Sequence, residues 1–201
     1  MKQPSHYYNP EEDLTITHGH LPHWNQQQKR YAVTFRLYDA LPRHVLHSYL
    51  VEWDETYGKV APEVRPERVT WLHERMMEYL DAGYGVCWLR DGAVRRIVES
   101  AFCHVNTRVA RILAYVIMPN HVHAVLETRP GVTIQYVMHS LKGFSAHRIN
   151  QYLGRTGRVW QREYFDRVVR SDTHFQRAIQ YIMSNPRHCK MGEFTLWIPD
   201  M

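Results

Sequence analysis

Residues Tyr31-Ala32-Val33-Thr34-Phe35-Arg36-Leu37 alternate in part between apolar and polar side chains and are rich in β-formers, which predicts a strand. The period then lengthens. Pro42 opens a helix that runs toward Tyr57. Pro66 opens another, with Val69, Leu72, Met76, Met77 and Leu80 at helical spacing until Gly83 and Gly85 break it. Asp91 is placed to cap a third helix whose buried face is Val94, Ile97, Val98, Ala101 and Phe102. A continuous apolar run from Ile112 to Met118, a tight turn at Pro119-Asn120 and the run His121 to Leu126 predict a hairpin. Thr133 starts a helix to about Asn150, and Gly154 and Gly157 mark an Arg-rich loop. Phe165 to Arg170 reads as a short extended piece. Asp172 or Thr173 then caps a last helix from about Phe175 to Asn185, which Pro186 disfavours continuing. Residues 1–29, with a Gln26-Gln27-Gln28 run, read as an irregular extension partly docked through Leu21 and Trp24. This order of elements, with no repeat and no linker, predicts an α+β fold in which helices pack on an antiparallel sheet.

Composition narrows the class. A chain of 201 residues with 44% hydrophobic and 22% charged residues can bury one full core and fold in water. No stretch approaches the roughly 18 uninterrupted apolar residues of a membrane span, so no membrane association is expected. The polar, acid-containing start from Met1 to Asp13 does not read as a secretory signal. Cys87, Cys103 and Cys189 are far apart and form no CxxC pair, which argues against a disulfide framework or a cysteine zinc site. The cytoplasm, in association with the nucleoid, is the expected location.

Charge is unevenly spread. The chain carries +5 overall, yet ten Lys or Arg face three Asp or Glu between Lys142 and Lys190, so the remainder is slightly acidic. Tyr152, Trp160, Tyr164 and Phe165 are interleaved with these cations. Basic side chains attract phosphates and aromatic faces stack on unpaired bases, a mixture that suits single-stranded nucleic acid. A solvated surface over ordinary core aromatics has the same composition.

Two constellations carry possible chemistry. In a strand, residues two apart share a face, so His121 and His123 project together while Val122 points into apolar packing. Two imidazoles on one strand can bind a divalent metal, although a third donor must come from elsewhere and spacing alone favours an ordinary structural role. A second pair, His18-Gly19-His20, has no predicted strand to fix it. In the last helix, Tyr181 and Asn185 are four apart and face one side. A tyrosine nucleophile needs a metal or a base, because its ordinary pKa is about 10. Without further context, a packed tyrosine and a helix-ending asparagine are the simpler reading.

The context is a resemblance carried by several stretches in order. They are Tyr115-Val116-Ile117-Met118-Pro119-Asn120-His121-Val122-His123, Ser140-Leu141-Lys142-Gly143-Phe144-Ser145, the run Val159 to Arg170, and Tyr181-Ile182-Met183-Ser184-Asn185-Pro186. Together with the strand at Tyr31 to Leu37, these resemble the IS200/IS605-like single-tyrosine (HUH) transposases, in the branch associated with repetitive extragenic palindromes (REP). The resemblance covers roughly residues 21 to 190. It implies a transposase domain at residues 30–190 between the N-terminal extension and a tail at 191–201. The implied fold is a four- or five-stranded antiparallel sheet flanked by helices, similar to ferredoxin and RNA-recognition folds. Where Asn185 stands, insertion-sequence members carry Gln. Residues 45 to 105 look longer and more helical than in the smallest members, and no role is assigned to them.

By resemblance, Tyr181 is the catalytic nucleophile and His121, His123 and Asn185 hold Mg²⁺ or Mn²⁺. The expected reaction cuts and rejoins single-stranded DNA at REP-like hairpins through a 5′-phosphotyrosine link. Lys142, Arg148, Arg155, Arg158, Arg162, Arg167 and Arg170 are the candidate DNA contacts. Tyr164 is the rival nucleophile, lacking an amide on its own face. The resemblance leans to a monomer, with a homodimer exchanging the tyrosine helix as the alternative. Competing readings are a catalytically inactive hairpin-binding protein, a metal-dependent nuclease that uses water, and a structural or regulatory protein whose His and Arg are merely surface.

Overall fold

In the computed structural model of the chain, residues 5–18, 22–58 and 66–199 are described. The elements are β1 (Thr15–His18), β2 (Pro22–Asn25), β3 (Arg30–Arg36), α1 (Arg43–Tyr57), α2 (Pro66–Asp81), α3 (Gly92–Arg108), β4 (Ala110–Ile117), β5 (His121–Thr128), α4 (Ile134–Tyr152), β6 (Phe165–Val168), α5 (Asp172–Ser184) and β7 (Thr195–Trp197). The fold is α+β. Five strands form one antiparallel sheet in the order β6-β3-β5-β4-β7, and β1 and β2 form a separate hairpin. The run β3, helices, β4, β5, α4, β6 has the connectivity of a ferredoxin-like unit.

Strand alternation divides the sheet into two faces with different work. Tyr31, Val33 and Phe35 of β3 and Val122, Ala124 and Leu126 of β5 point into the main core. There they meet Val94, Val98, Ala101 and Phe102 of α3 and Val137, Met138 and Leu141 of α4. The other face is smaller and belongs to α5: Ile182 packs with Val116 and Val125, flanked by Ala32, Phe175, Ala178 and Ile179. The side chains of Asp91 and Thr133 accept hydrogen bonds from the amides of Ala93 and Tyr136 and so cap α3 and α4.

Three local expectations change. Ser171, not Asp172 or Thr173, caps α5, accepting from the amide of His174. The α-helix ends at Ser184, close to the expected end, but the chain keeps coiling: Asn185–His188 is a 3-10 turn with the proline in its first positions, where a missing N–H costs little. The described part of the first 29 residues is not irregular: besides the β1–β2 hairpin, the segment before it is tied down. The Tyr8 amide donates to Val169 O, and Lys29, fully buried, bonds to Ser5 O and pairs with Glu12. His18-Gly19-His20 and Leu21 lie partly outside the described residues. At the other end, β7 extends the sheet beside β4, with Trp197 stacked on Tyr115 at 5.4 Å.

Candidate active site

β5 is the middle strand of the sheet, with β3 on one side and β4 on the other. His121 and His123 therefore sit on a strand paired along both edges, on the face that α5 covers. Both are buried, at 0% and 4% exposure, and their ring centroids are 4.7 Å apart.

The orientation of His121 follows from its neighbour. The Asn120 side-chain nitrogen donates to the carbonyls of Leu80 and Tyr84, so its oxygen must face Nδ1 of His121, 2.7 Å away. An amide oxygen can only accept, so Nδ1 carries the proton and Nε2 keeps its lone pair. His123 Nδ1 is held by Thr34 Oγ1 at 2.7 Å from the adjacent strand. Burial pushes both imidazoles down, His121 to about 3, so they are neutral at pH 7.

Tyr181 reaches the same place from α5. Its ring meets that of His123 edge-on, centroids 5.0 Å apart. Burial and then the Asp81 carboxylate push its pKa up to about 12, while a hydrogen bond with Asn185 pulls it back. Tyr181 as a whole is 40% exposed, whereas Asn185 is 7% exposed. Tyr164 is placed quite differently. It is buried on the other face, stacked on His23 at 4.5 Å and beneath Lys142, and burial drives its pKa strongly upward.

Nε2 of His121, Nε2 of His123 and Oδ1 of Asn185 are buried and have no hydrogen-bond partner. Buried polar atoms are normally satisfied, and these three lone-pair donors are of the kind that fits a bound cation. Among the described residues no group of three His, Cys, Asp or Glu side chains stands in metal-holding geometry, and what His121, His123 and Asn185 offer is two imidazoles and an amide. Neutral imidazole and amide oxygen suit Mn²⁺, and the oxygen also suits Mg²⁺.

Sequence reasoning passed over several residues at this site. Asp81, the last residue of α2, brings Oδ1 to 3.6 Å from His121 Nε2, and His73 of the same helix presents its ring near His123 and Tyr181. Arg36 is opposite His121 in the β3–β5 register and thus on the same face. It is 5% exposed, its Nε has no partner, and burial lowers its pKa to about 10. The spacing of His73 and Asp81, two helical turns apart, was the available signal. Nothing in the sequence says that α2 lies against β5.

The expected DNA contacts scatter. Arg148, Arg158, Arg162, Arg167 and Arg170 are exposed. Arg155 is half-buried, bonded to Asn150 Oδ1 and lying over the Trp88 ring at 4.1 Å. Lys142 is taken up inside the protein, its ammonium donating to Gln161 O and Arg162 O, each at 2.7 Å, and burial lowers its pKa to about 8. Of the seven, only Arg167 borders the cleft beside Tyr181.

No curated protein matches the chain. Among solved structures, the chain is similar to a REP-associated tyrosine transposase bound to a REP hairpin, at 13% identity and a TM-score of 0.48, over 80% of this chain and 68% of that one. It is also similar to a protein of Deinococcus radiodurans R1 provisionally described as a transposase, at 15% identity and a TM-score of 0.37, over 80% of this chain and 93% of that one. Residues 89–185, which run from just before α3 to Asn185, match the family described as "Transposase IS200 like". That segment, just under half of the chain, is what this chain shares with the IS200-like transposases.

Proposed function

We propose that this transposase cuts and rejoins single-stranded DNA beside a hairpin, with Tyr181 as nucleophile. The observation that carries the reading is the convergence of the Tyr181 ring on His123, within a pocket of three unsatisfied buried donors. His121, His123 and Asn185 would hold Mg²⁺ or Mn²⁺. Bound there, the ion supplies Lewis-acid polarisation of a phosphate oxygen.

The chain's own residues do the rest. The phenolic oxygen of Tyr181 attacks phosphorus and the bond to the 3′ oxygen breaks. The phenol's proton ends on the released 3′-OH. The 5′-phosphotyrosine conserves the phosphoester, so attack by another 3′-OH reverses the step without an energy source. Arg36 is a buried cation on the same face and supplies fixed positive charge for the phosphate in a site of low dielectric. Thr34 and Asn120 hold the imidazoles in place. The exposed arginines from Arg148 to Arg170 supply long-range attraction for the hairpin.

The test is incubation with a labelled single-stranded hairpin and Mn²⁺, resolved on a denaturing protein gel beside Tyr181→Phe. A labelled adduct that vanishes in the variant is expected. Cleavage without an adduct would replace this reading with a water-using nuclease, and binding without cleavage over several hairpins would replace it with a binding module.

A further inference from the structure

Next to Tyr181 the surface opens into a cleft of about 100 Å³. Ala178 and Tyr181 of α5 form one wall, Ala32 of β3 and His123 of β5 form the floor, and Phe165 of β6 and His73 of α2 form the other wall. The His73 and Phe165 rings lie at 4.1 Å between centroids, tilted by 33°. Both are half-buried, so part of each ring remains uncovered beside the cleft. Among the described residues no carboxylate lines it, and the one formal charge there is Arg167, whose guanidinium lies 5.3 Å over the Phe165 ring.

We propose that this cleft seats one unpaired nucleobase of the strand whose phosphate is presented to Tyr181, stacked against His73 and Phe165. The proposal rests on the transferase reading. The nucleophile is itself a wall of the cleft, so a phosphate at the Tyr181 hydroxyl carries its neighbouring nucleoside to the cleft's mouth. Paired aromatic rings above a floor of small side chains fit a flat, uncharged ring. Arg167 at the rim and the absence of lining carboxylates fit the anionic backbone attached to that ring. A duplex has no free base to offer, so the cleft selects for an unpaired strand. The His73 wall comes from α2, outside the matched residues 89–185, so base preference at the cut is set partly by this chain's own helix.

Two measurements separate this proposal from the reading beneath it. The first uses a labelled DNA hairpin with single-stranded flanks and Mn²⁺. After the cut is mapped, each flanking base is replaced in turn by an abasic site. One position beside the cut should lower adduct formation by roughly tenfold or more, the usual scale for one stacked base. The same abasic site should add little further loss in His73→Ala, while His73→Phe, which keeps a stacking ring, should restore the abasic penalty. A flat scan, or an equal abasic penalty with and without His73, overturns the proposal.

The second measurement needs no cleavage. 2-Aminopurine is placed at successive flanking positions and bound to Tyr181→Phe protein. Quenching at one position, lost when His73→Ala is added, supports the slot even if the unaltered protein forms no adduct, an outcome that would remove only the transferase reading. Adduct formation with no quenched position removes the slot and leaves that reading standing.

Discussion

The side-chain oxygen of Asn120 lies 2.7 Å from Nδ1 of His121, and its nitrogen is held by the carbonyls of Leu80 and Tyr84. One amide thus fixes a tautomer and ties the end of α2 to the β4–β5 turn. Asn120→Ala should weaken Mn²⁺ binding by roughly ten- to hundredfold, the usual cost of losing a group that orients a ligand. It should also cost about 1–3 kcal/mol of stability through the carbonyls left unsatisfied. Calorimetric Mn²⁺ titration and urea unfolding measure the two effects, and unchanged metal affinity would detach Asn120 from the site.

The two tyrosines should separate cleanly. Tyr181→Phe is expected to abolish the DNA adduct and leave the fold intact, since the residue is 40% exposed. Tyr164 Oη is buried without a hydrogen-bond partner, so Tyr164→Phe should be neutral or stabilising by up to about 1 kcal/mol and keep the adduct. Loss of the adduct in Tyr164→Phe alone would reverse the assignment.

Ile182 anchors α5 on the sheet and is 2% exposed. Ile182→Ala should cost about 2–4 kcal/mol and slow adduct formation more than it weakens hairpin binding, because the helix then holds Tyr181 less firmly. Binding measured by anisotropy alongside adduct rates gives the comparison, and equal losses would mean that the helix only supports the fold.

Hairpin binding should fall with salt, and each phosphate-contacting arginine removed should reduce the logarithmic slope by about 0.9. Arg162→Gln, at an exposed site, tests this. Lys142→Gln should instead lower thermal stability and leave the slope alone, because its ammonium serves two backbone carbonyls. A slope that drops for Lys142→Gln would show that the side chain turns outward on DNA.

His23 and Asp166 form a buried hydrogen-bonded pair, and both pKa values are raised: His23 first by the hydrogen bond to Asp166, Asp166 first by burial. The folded state therefore holds the pair's proton more tightly than the unfolded chain. The stability His23 contributes is fully present below its ordinary pKa of 6.5 and is lost as pH rises through its raised value. Metal-free urea unfolding from pH 6 to 8.5 should show a downward trend that His23→Gln flattens; an identical trend in the variant would place its origin elsewhere.

The fold was legible because alternation and helical spacing are local properties. The strand at Tyr31 to Leu37 and the hairpin at Pro119-Asn120 needed no knowledge of the rest of the chain. The face shared by His121 and His123, and that shared by Tyr181 and Asn185, follow from the same periodicities. What the sequence withheld depends on packing over long separations. His73 and Asp81 meet β5 only because α2 docks there, and Arg36 reads as an ordinary polar strand position until β5 is laid beside it. Lys142 reads as a DNA contact until its partners at Gln161 and Arg162 are known. The tied N-terminus and β7 escaped because short segments with weak patterns take their structure from what they lie against.

The two sides of the site are held with unequal stiffness. His121 and His123 sit on a strand zipped to a neighbour along both edges, so neither can shift without breaking the sheet. Tyr181 and Asn185 hang from one helix that is bonded to the sheet by side chains alone, through a small apolar patch. The proposed cycle of cutting one strand and sealing another would exchange DNA ends around the tyrosine. In this chain the anvil is the sheet itself, and the hammer is tied to it only through that apolar patch.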